Sequence, residues 1–234
     1  MINSKYFFKG FKSIKGVGSP AIALGASFIA IGALLKNLGF SIQESIFSTF
    51  LTYALPGSLV MAESMLIGAS LINIFIAVWL VNARLYPMTV ALMPLLMHEN
   101  QPRWKYYLSC HFIAVSSWLI MKDNYENVEK ENRIDFWIGI GTATWSVAIL
   151  ATVLGYIASD FLNKDMLIGL AIVNPIYFIC MMIGAMKTIQ ISASIILGAI
   201  LGPAFYFLSP EWCILFGGFI AGTIAYLLGE KNGN

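Results

Sequence analysis

Long apolar stretches, separated only by short polar segments, follow one another through almost the whole chain of 234 residues. Most of them approach or exceed the roughly 20 residues that an α-helix needs to cross a bilayer. A transmembrane barrel would instead show alternating segments of about ten residues, and this pattern does not occur here. Since 59% of the residues are hydrophobic and only 11% are charged, we predict an all-α polytopic membrane protein.

The apolar stretches predict about eight transmembrane segments, with boundaries at clusters of polar residues and prolines. The segments are Val17–Leu38, Ser41–Ser70, Leu71–Met97, Trp104–Met121, Phe136–Ala158, Met166–Met186, Ile189–Leu208 and Trp212–Leu228. Proline removes a helical hydrogen bond, so broken helices are predicted near Pro56, Pro87 and Pro175.

Segment 41–70 has two interpretations, because Pro56 divides it into halves too short to cross the membrane alone. If it crosses, there are eight spans, nine Lys/Arg residues are cytoplasmic, and four are outside: Lys36, Arg103, Lys105 and Lys164. If it is re-entrant, there are seven spans and the balance becomes seven against six. Because cytoplasmic loops carry an excess of Lys and Arg, the crossing arrangement is favoured.

The first sixteen residues are basic, with Lys5, Lys9 and Lys12 at helical spacing among phenylalanines. This pattern predicts a cytoplasmic N-terminus that is either a short amphipathic helix at the membrane surface or a positively charged anchor. Residues 17–229 are predicted to form one transmembrane transporter domain, and residues 230–234 a short C-terminal tail.

Arg84 lies in the middle of the third apolar run, between Asn82 and Tyr86, with Pro87 immediately after. A cation at the centre of a membrane helix costs about 2.5–3.5 kcal/mol unless protein or water solvates it. Two interpretations are open for this turn. Arg84, Asn82 and Tyr86 bind a substrate carboxylate, or Arg84 pairs with Glu63 or with helix-end carbonyls.

The Pro56-Gly57 break supports a similar pair of interpretations. A half-helix that begins there would offer free backbone N–H groups and a positive dipole end to an anion. Alternatively, the proline only kinks a helix. On the first interpretation Pro56, Gly57 and Ser58 are substrate-binding candidates. Glu63, which follows in an apolar sequence, is either the ion-pair partner of Arg84 or a coupling residue.

Three further polar positions are candidates of lower specificity. His111 is either a hydrogen-bonded interior residue or a proton carrier, and Asn174 precedes Pro175 at another predicted break. Two interrupted spans in opposite halves are typical of internally repeated transporters. Glu44 lies three residues after Ser41, where a capping box explains it.

Several functional classes lack a signature in this sequence. There is no phosphate loop, nucleophile elbow or pair of acids at catalytic spacing, so we expect no enzyme and no catalytic residues. The three cysteines lie in apolar stretches without metal-ligand spacing, so no metal or other cofactor is expected. A net charge of +2 does not indicate nucleic-acid binding.

Short motifs in the first half resemble the AzlC-type branched-chain amino-acid permease family. They are Gly39-Phe40-Ser41-Ile42-Gln43-Glu44, Tyr53-Ala54, Gly68-Ala69-Ser70 and Asn82-Ala83-Arg84. In the second half, Trp137-Ile138-Gly139, Trp145, Gly155 and Asn174-Pro175 are also similar. The resemblance extends over about residues 16–228, and its strongest part is 39–86.

The resemblance implies a bacterial inner-membrane exporter of branched-chain amino acids, sometimes of methionine. It also implies a small four-span membrane partner of AzlD type, no ATPase, and polar roles for Glu44, Asn82 and Arg84. A channel-like pore and a non-transporting membrane subunit are the alternatives to secondary transport.

Overall fold

The computed structural model describes residues 2–15, 20–184, 186, 188–208 and 213–231. These residues form twelve α-helices and three short 3-10 turns, and they contain no strand. The first six helices are α1 Ser4–Lys12, α2 Pro20–Asn37, α3 Ile42–Thr52, α4 Leu55–Leu66, α5 Leu71–Asn82 and α6 Leu85–Leu96. The others are α7 Arg103–Ser109, α8 Val115–Asn124, α9 Arg133–Ala158, α10 Lys164–Gly184, α11 Ile189–Leu208 and α12 Cys213–Lys231.

Helical breaks occur near two of the three predicted prolines. Pro56 is the second residue of α4, directly after the break that ends α3. Pro87 lies in the first turn of α6, which is bent by 48° from α5. The prediction at Pro175 is wrong, because α10 continues through it without interruption. Membrane helices tolerate proline where neighbouring groups satisfy the freed carbonyl.

Among the described residues, three helices have the length and composition of membrane spans: α2, α11 and the segment Lys130–Ala158 that contains α9. The bent pair of α5 and α6 provides a fourth if it is counted as one span. The all-helical class is therefore confirmed. The count of eight spans is not confirmed, and the contacts described below contradict two of them.

Helix α9 is the element against which α1, α2 and α3 pack. Close backbone approach makes this packing possible: Gly32 of α2 lies against the Thr152 carbonyl, and Gly155 of α9 lies against the Ile29 carbonyl. A side chain at either glycine would collide with backbone. Thr49 of α3 and Thr152 share a buried hydrogen bond of 3.0 Å between their hydroxyls.

Helix α1 packs on the first turns of α9. Its Gly10 lies against the backbone at Phe136, and Gly139 lies against the Phe7 carbonyl. The Asn3 backbone N–H donates to Asp135 Oδ2 at 2.9 Å. We call this side of the molecule, where α9 begins, the α1 end.

Polar contacts bring the start of α7 and the residues just before it to the same end. Lys105 Nζ lies 2.8 Å from Asp135 Oδ1, and both side chains are only 1% exposed. Gln101 Nε2 donates to the Glu131 carbonyl at 2.9 Å. The ring centre of Tyr125, the residue directly after α8, lies 5.1 Å from the guanidinium of Arg133 at the start of α9. Because α7 begins and α8 ends at the α1 end, this pair is a hairpin, and the predicted crossing by Trp104–Met121 is wrong.

Helices α3 and α4 form a second hairpin from the opposite end. Near the start of α3, Phe40 accepts a hydrogen bond of 3.0 Å from Tyr156 near the end of α9. Helices α4 and α5 pack antiparallel, with the start of α4 beside the end of α5. Helices α5 and α6 together run toward the α1 end, where Arg133 Nη1 donates to the Leu95 carbonyl at 3.2 Å. The end of α4 therefore returns to the side on which α3 begins. These contacts support the re-entrant interpretation of 41–70 rather than the favoured crossing.

Candidate functional site

Three helix breaks meet in the interior of the described structure. They separate α3 from α4 at residues 53–54, α5 from α6 at residues 83–84, and α7 from α8 at residues 113–114. Ala54 and Ala114, which precede α4 and α8, both have extended backbone conformations. Each break therefore presents the first turn of one helix and the last turn of another.

Different local causes produce these breaks. Proline at the second position of α4 favours a helix start, because its missing N–H would have no helical partner there. The break before α8 has no proline. Instead, Ser117 accepts from the Ala114 N–H at 3.1 Å and donates to the Phe112 carbonyl at 2.6 Å. One hydroxyl thus satisfies backbone groups that the interrupted helix leaves unpaired.

A cavity of about 340 Å³ lies where three helices begin. The first turns of α4, α6 and α8 line it, with residues 54–56, 84–85 and 114–116. Leu24 and Phe28 of α2 close the apolar side, and Phe28 stacks on Tyr53 at 6.4 Å between ring centres. We call it the Arg84 cavity. Helix N-termini carry partial positive charge, so three of them around one space favour an anion.

Arg84 strengthens this preference. Its side chain is half-buried and lines the cavity, and its Nε has no hydrogen-bond partner within the part of the chain that the structure describes. The predicted ion pair with Glu63 is not formed, because the ion pairs of the described residues do not include it. Glu63 is instead exposed on α4. The described residues that line the Arg84 cavity include no Asp or Glu, so the Arg84 cation faces no fixed counter-charge from them.

Asn82 packs directly on Gly57. A Cβ atom at Gly57 would lie 2.7 Å from Asn82 Nδ2, so a larger residue there would displace the Asn82 amide from the start of α4. Asn82 Oδ1 and the fully buried Ser58 Oγ both lack a hydrogen-bond partner among the residues described. The two motifs singled out in the sequence, Pro56-Gly57-Ser58 and Asn82-Ala83-Arg84, are therefore neighbours in the fold.

A second cavity, also of about 340 Å³, lies beside the first and shares its walls at Tyr53, Ala54, Leu85 and Ile113. The last turns of α3 and α5 line it with residues 51–52 and with residues 78 and 82. The 3-10 turn that follows α7 lines it with residues 110–111. We call it the His111 cavity.

His111 lies in a group of aromatic rings at this second cavity. Its ring centre is 6.2 Å from that of Tyr53, 5.8 Å from that of Phe112 and 6.0 Å from that of Trp145. Trp145 also donates from Nε1 to the Phe50 carbonyl at 3.3 Å. His111 therefore lies near the site, on the side opposite the helix N-termini.

Other predicted residues have different positions. Tyr86 is 72% exposed and does not line either cavity, so its predicted binding role is not supported. Glu44 forms the predicted capping box, accepting from the Ser41 N–H at 2.7 Å. Asn174 belongs to α10, but its side chain lies outside the part of the chain that the structure describes.

Neither the third break nor the buried Lys105–Asp135 pair at the base of its hairpin was predicted from the sequence. Residues 113–116 contain neither proline nor glycine, and only the consecutive serines at 116–117 interrupt that apolar run. The buried Lys105–Asp135 pair was also missed, because the two residues were assigned to opposite sides of the membrane.

Comparison with known proteins gives one positive result. No curated protein and no solved structure matches the chain significantly. The family model described as AzlC protein matches residues 20–162, more than half of the chain, from α2 to just beyond α9. All three helix breaks and both Asn82 and Arg84 lie within the match. This chain therefore belongs to the AzlC family.

Proposed function

We propose that this protein is a secondary transporter of small apolar amino acids, with branched-chain amino acids as the leading substrates. The observation that carries the proposal is the Arg84 cavity. There, a guanidinium whose Nε has no hydrogen-bond partner among the described residues and three helix N-termini surround a space with apolar walls. A carboxylate suits the first two features, and an aliphatic side chain suits the walls. Association of the AzlC family with branched-chain amino-acid transport supports the same substrate class.

The two hairpins support transport rather than a static binding role. They enter from opposite ends and meet at the cavities, as interrupted helices do at the substrate sites of many secondary transporters. Movement of either hairpin would open the site toward its own end. We propose that Arg84 and the backbone at residues 54–57 bind the carboxylate, and that no chemical conversion of the substrate takes place.

We further propose an orientation in the bacterial inner membrane with the α1 end in the cytoplasm. Contacts of the segments between residues 2 and 160 place eight basic residues at that end: Lys5, Lys9, Lys12, Arg103, Lys105, Lys122, Lys130 and Arg133. Only Lys36 lies at the other end of this part of the chain, where it pairs with Asp160 at 2.7 Å. An excess of basic residues favours the cytoplasmic side.

Export as the direction and a four-span AzlD-type subunit as partner belong to the same proposal. They are supported by the family resemblance alone, so the test must allow for the partner. Proteoliposomes should therefore contain the chain with and without the product of a neighbouring four-span reading frame.

Counterflow of labelled leucine tests the proposed function. Proteoliposomes loaded with unlabelled leucine should accumulate external label transiently, because a carrier exchanges substrate without net driving force. Loading with lysine is the matched control and should give no accumulation. A leucine-dependent current without counterflow would contradict the proposal and indicate a channel. No leucine-dependent flux with either composition would indicate a non-transporting subunit.

A further inference from the structure

We infer that the His111 cavity is the subsite for the substrate's ammonium group. The inference rests on the proposed function, since it assigns the second charged group of the same amino acid. The two cavities share walls at residues 53–54, 85 and 113. An amino acid carries both charged groups on one carbon, so it needs environments of opposite polarity side by side.

Helix polarity gives the two cavities opposite character. The first turns of α4, α6 and α8 line the Arg84 cavity. The last turns of α3 and α5 and the 3-10 turn after α7 line the His111 cavity. The last four carbonyls of a helix lack helical partners, and the C-terminus carries partial negative charge. Each break therefore contributes its positive end to one cavity and its negative end to the other.

Side chains agree with this sorting. Within the described part of the chain, no lysine or arginine lines the His111 cavity, whereas Arg84 lines the other. Asn82 lines the His111 cavity and has an amide oxygen without a hydrogen-bond partner. This oxygen is the acceptor that an ammonium group requires.

An aromatic ring adds to the preference for an ammonium ion. Tyr53 is 97% buried, and it lines both cavities. The face of a buried aromatic ring attracts a cation. Tyr53 thus lies on the wall that the two subsites share.

Competition binding with analogues that lack one charged group tests the inference on the unmodified full-length protein. Three unlabelled competitors of labelled leucine are compared. They are leucine itself, 4-methylpentanoic acid, which lacks the ammonium group, and 3-methylbutylamine, which lacks the carboxylate. We expect both analogues to compete at least tenfold more weakly than leucine, because each leaves one subsite unfilled. If 4-methylpentanoic acid competes as well as leucine, the inference is wrong while the carboxylate site stands.

Two variants test whether Asn82 is the residue that binds the ammonium group. N82L removes the acceptor and should weaken leucine about tenfold while changing the affinity for 4-methylpentanoic acid by less than about twofold. N82D adds a negative charge and should improve binding of 3-methylbutylamine. Equal losses for leucine and 4-methylpentanoic acid in N82L would overturn the inference, because Asn82 would then act only through its packing on Gly57.

A free metal cation is the competing occupant. Replacement of sodium by choline should leave leucine binding unchanged if the ammonium group fills the cavity. If leucine binding requires sodium and 4-methylpentanoic acid competes as well as leucine, the cavity holds a free cation and the inference is wrong. If the unmodified protein does not bind leucine at all, both the ammonium subsite and the proposed function are wrong. Failure of the subsite alone is therefore distinguishable from failure of the proposed function.

Discussion

At the residue scale, the contact between Gly57 and Asn82 links the two motifs that form the site. Glycine at this position has no role in a turn; it allows the Asn82 amide to lie on the first turn of α4. The sequence predicted both motifs as polar irregularities in apolar runs. Their mutual contact could not be predicted, since it depends on the antiparallel return of α5 along α4.

We predict that G57A weakens leucine binding by about tenfold. The added methyl group would lie 2.7 Å from Asn82 Nδ2, so the amide must move, and such overpacking typically costs 1–3 kcal/mol. Equilibrium binding to purified protein measures the effect. G198A is the matched control, because a Cβ at Gly198 meets nothing within 4 Å.

A double-mutant cycle distinguishes this mechanism from general destabilisation. In an N82A background, the additional change G57A should have little further effect, because the colliding atoms are absent. Additive losses would show that the collision with Asn82 is not the cause.

At the element scale, the hairpin of α7 and α8 depends on polar contacts at its base. Lys105 is buried, pairs with Asp135 on α9 and donates to Gln101 Oε1 at 2.9 Å. Asp135 also accepts from Asn3, so one carboxylate connects the hairpin, α9 and the N-terminal segment. These contacts hold the Ile113–Ala114 break beside the other two.

We predict that D135N destabilises the protein by about 3–5 kcal/mol, because it leaves the buried Lys105 charge without its counter-ion. Thermal unfolding in detergent measures this change. The double variant K105M/D135L should be much closer to the unmodified protein, since no uncompensated charge remains. If D135N unfolds at the unmodified temperature, the pair does not hold the hairpin.

The elements also show which local signals suffice to predict a helix break. Pro56 and Pro87 indicated two of the three breaks, because proline near a helix start fits the first turn. Pro175 did not interrupt α10, and the break at Ile113–Ala114 has no proline. That third break is stabilised by local contacts of Ser117 with the backbone at residues 112 and 114, and no proline or glycine marks it in the sequence.

At the scale of the whole molecule, the two hairpins change the membrane topology. The sequence predicts helix content well, because long apolar runs can satisfy their backbone in a membrane only as helices. It does not predict which short helices return to the same side. The predicted topology assigned Arg103 and Lys105 to the outside, whereas contacts with residues 131–135 bring their segment to the α1 end.

We predict that positions 100 and 127 are accessible from the same side of the membrane. Single cysteines at Asn100 and Asn127, both exposed, are introduced after replacement of the three native cysteines. An impermeant thiol reagent should label both only from the cytoplasmic side. Ile67→Cys, at a position that is 83% exposed in the turn after α4, should be labelled only from the opposite side. Labelling of positions 100 and 127 from opposite sides would contradict the hairpin of α7 and α8 and would support a membrane crossing by Trp104–Met121.

Arg84, as the carboxylate-binding cation at the meeting of the three breaks, is the central residue of the proposed function. The direct test is equilibrium binding of labelled leucine to purified R84A, with R103A as the control at an exposed arginine outside both cavities. Loss of charge-assisted hydrogen bonds worth about 1.5–3 kcal/mol should weaken R84A binding roughly 10- to 150-fold and leave R103A unchanged. A folded R84A protein that binds leucine with unchanged affinity would contradict the account.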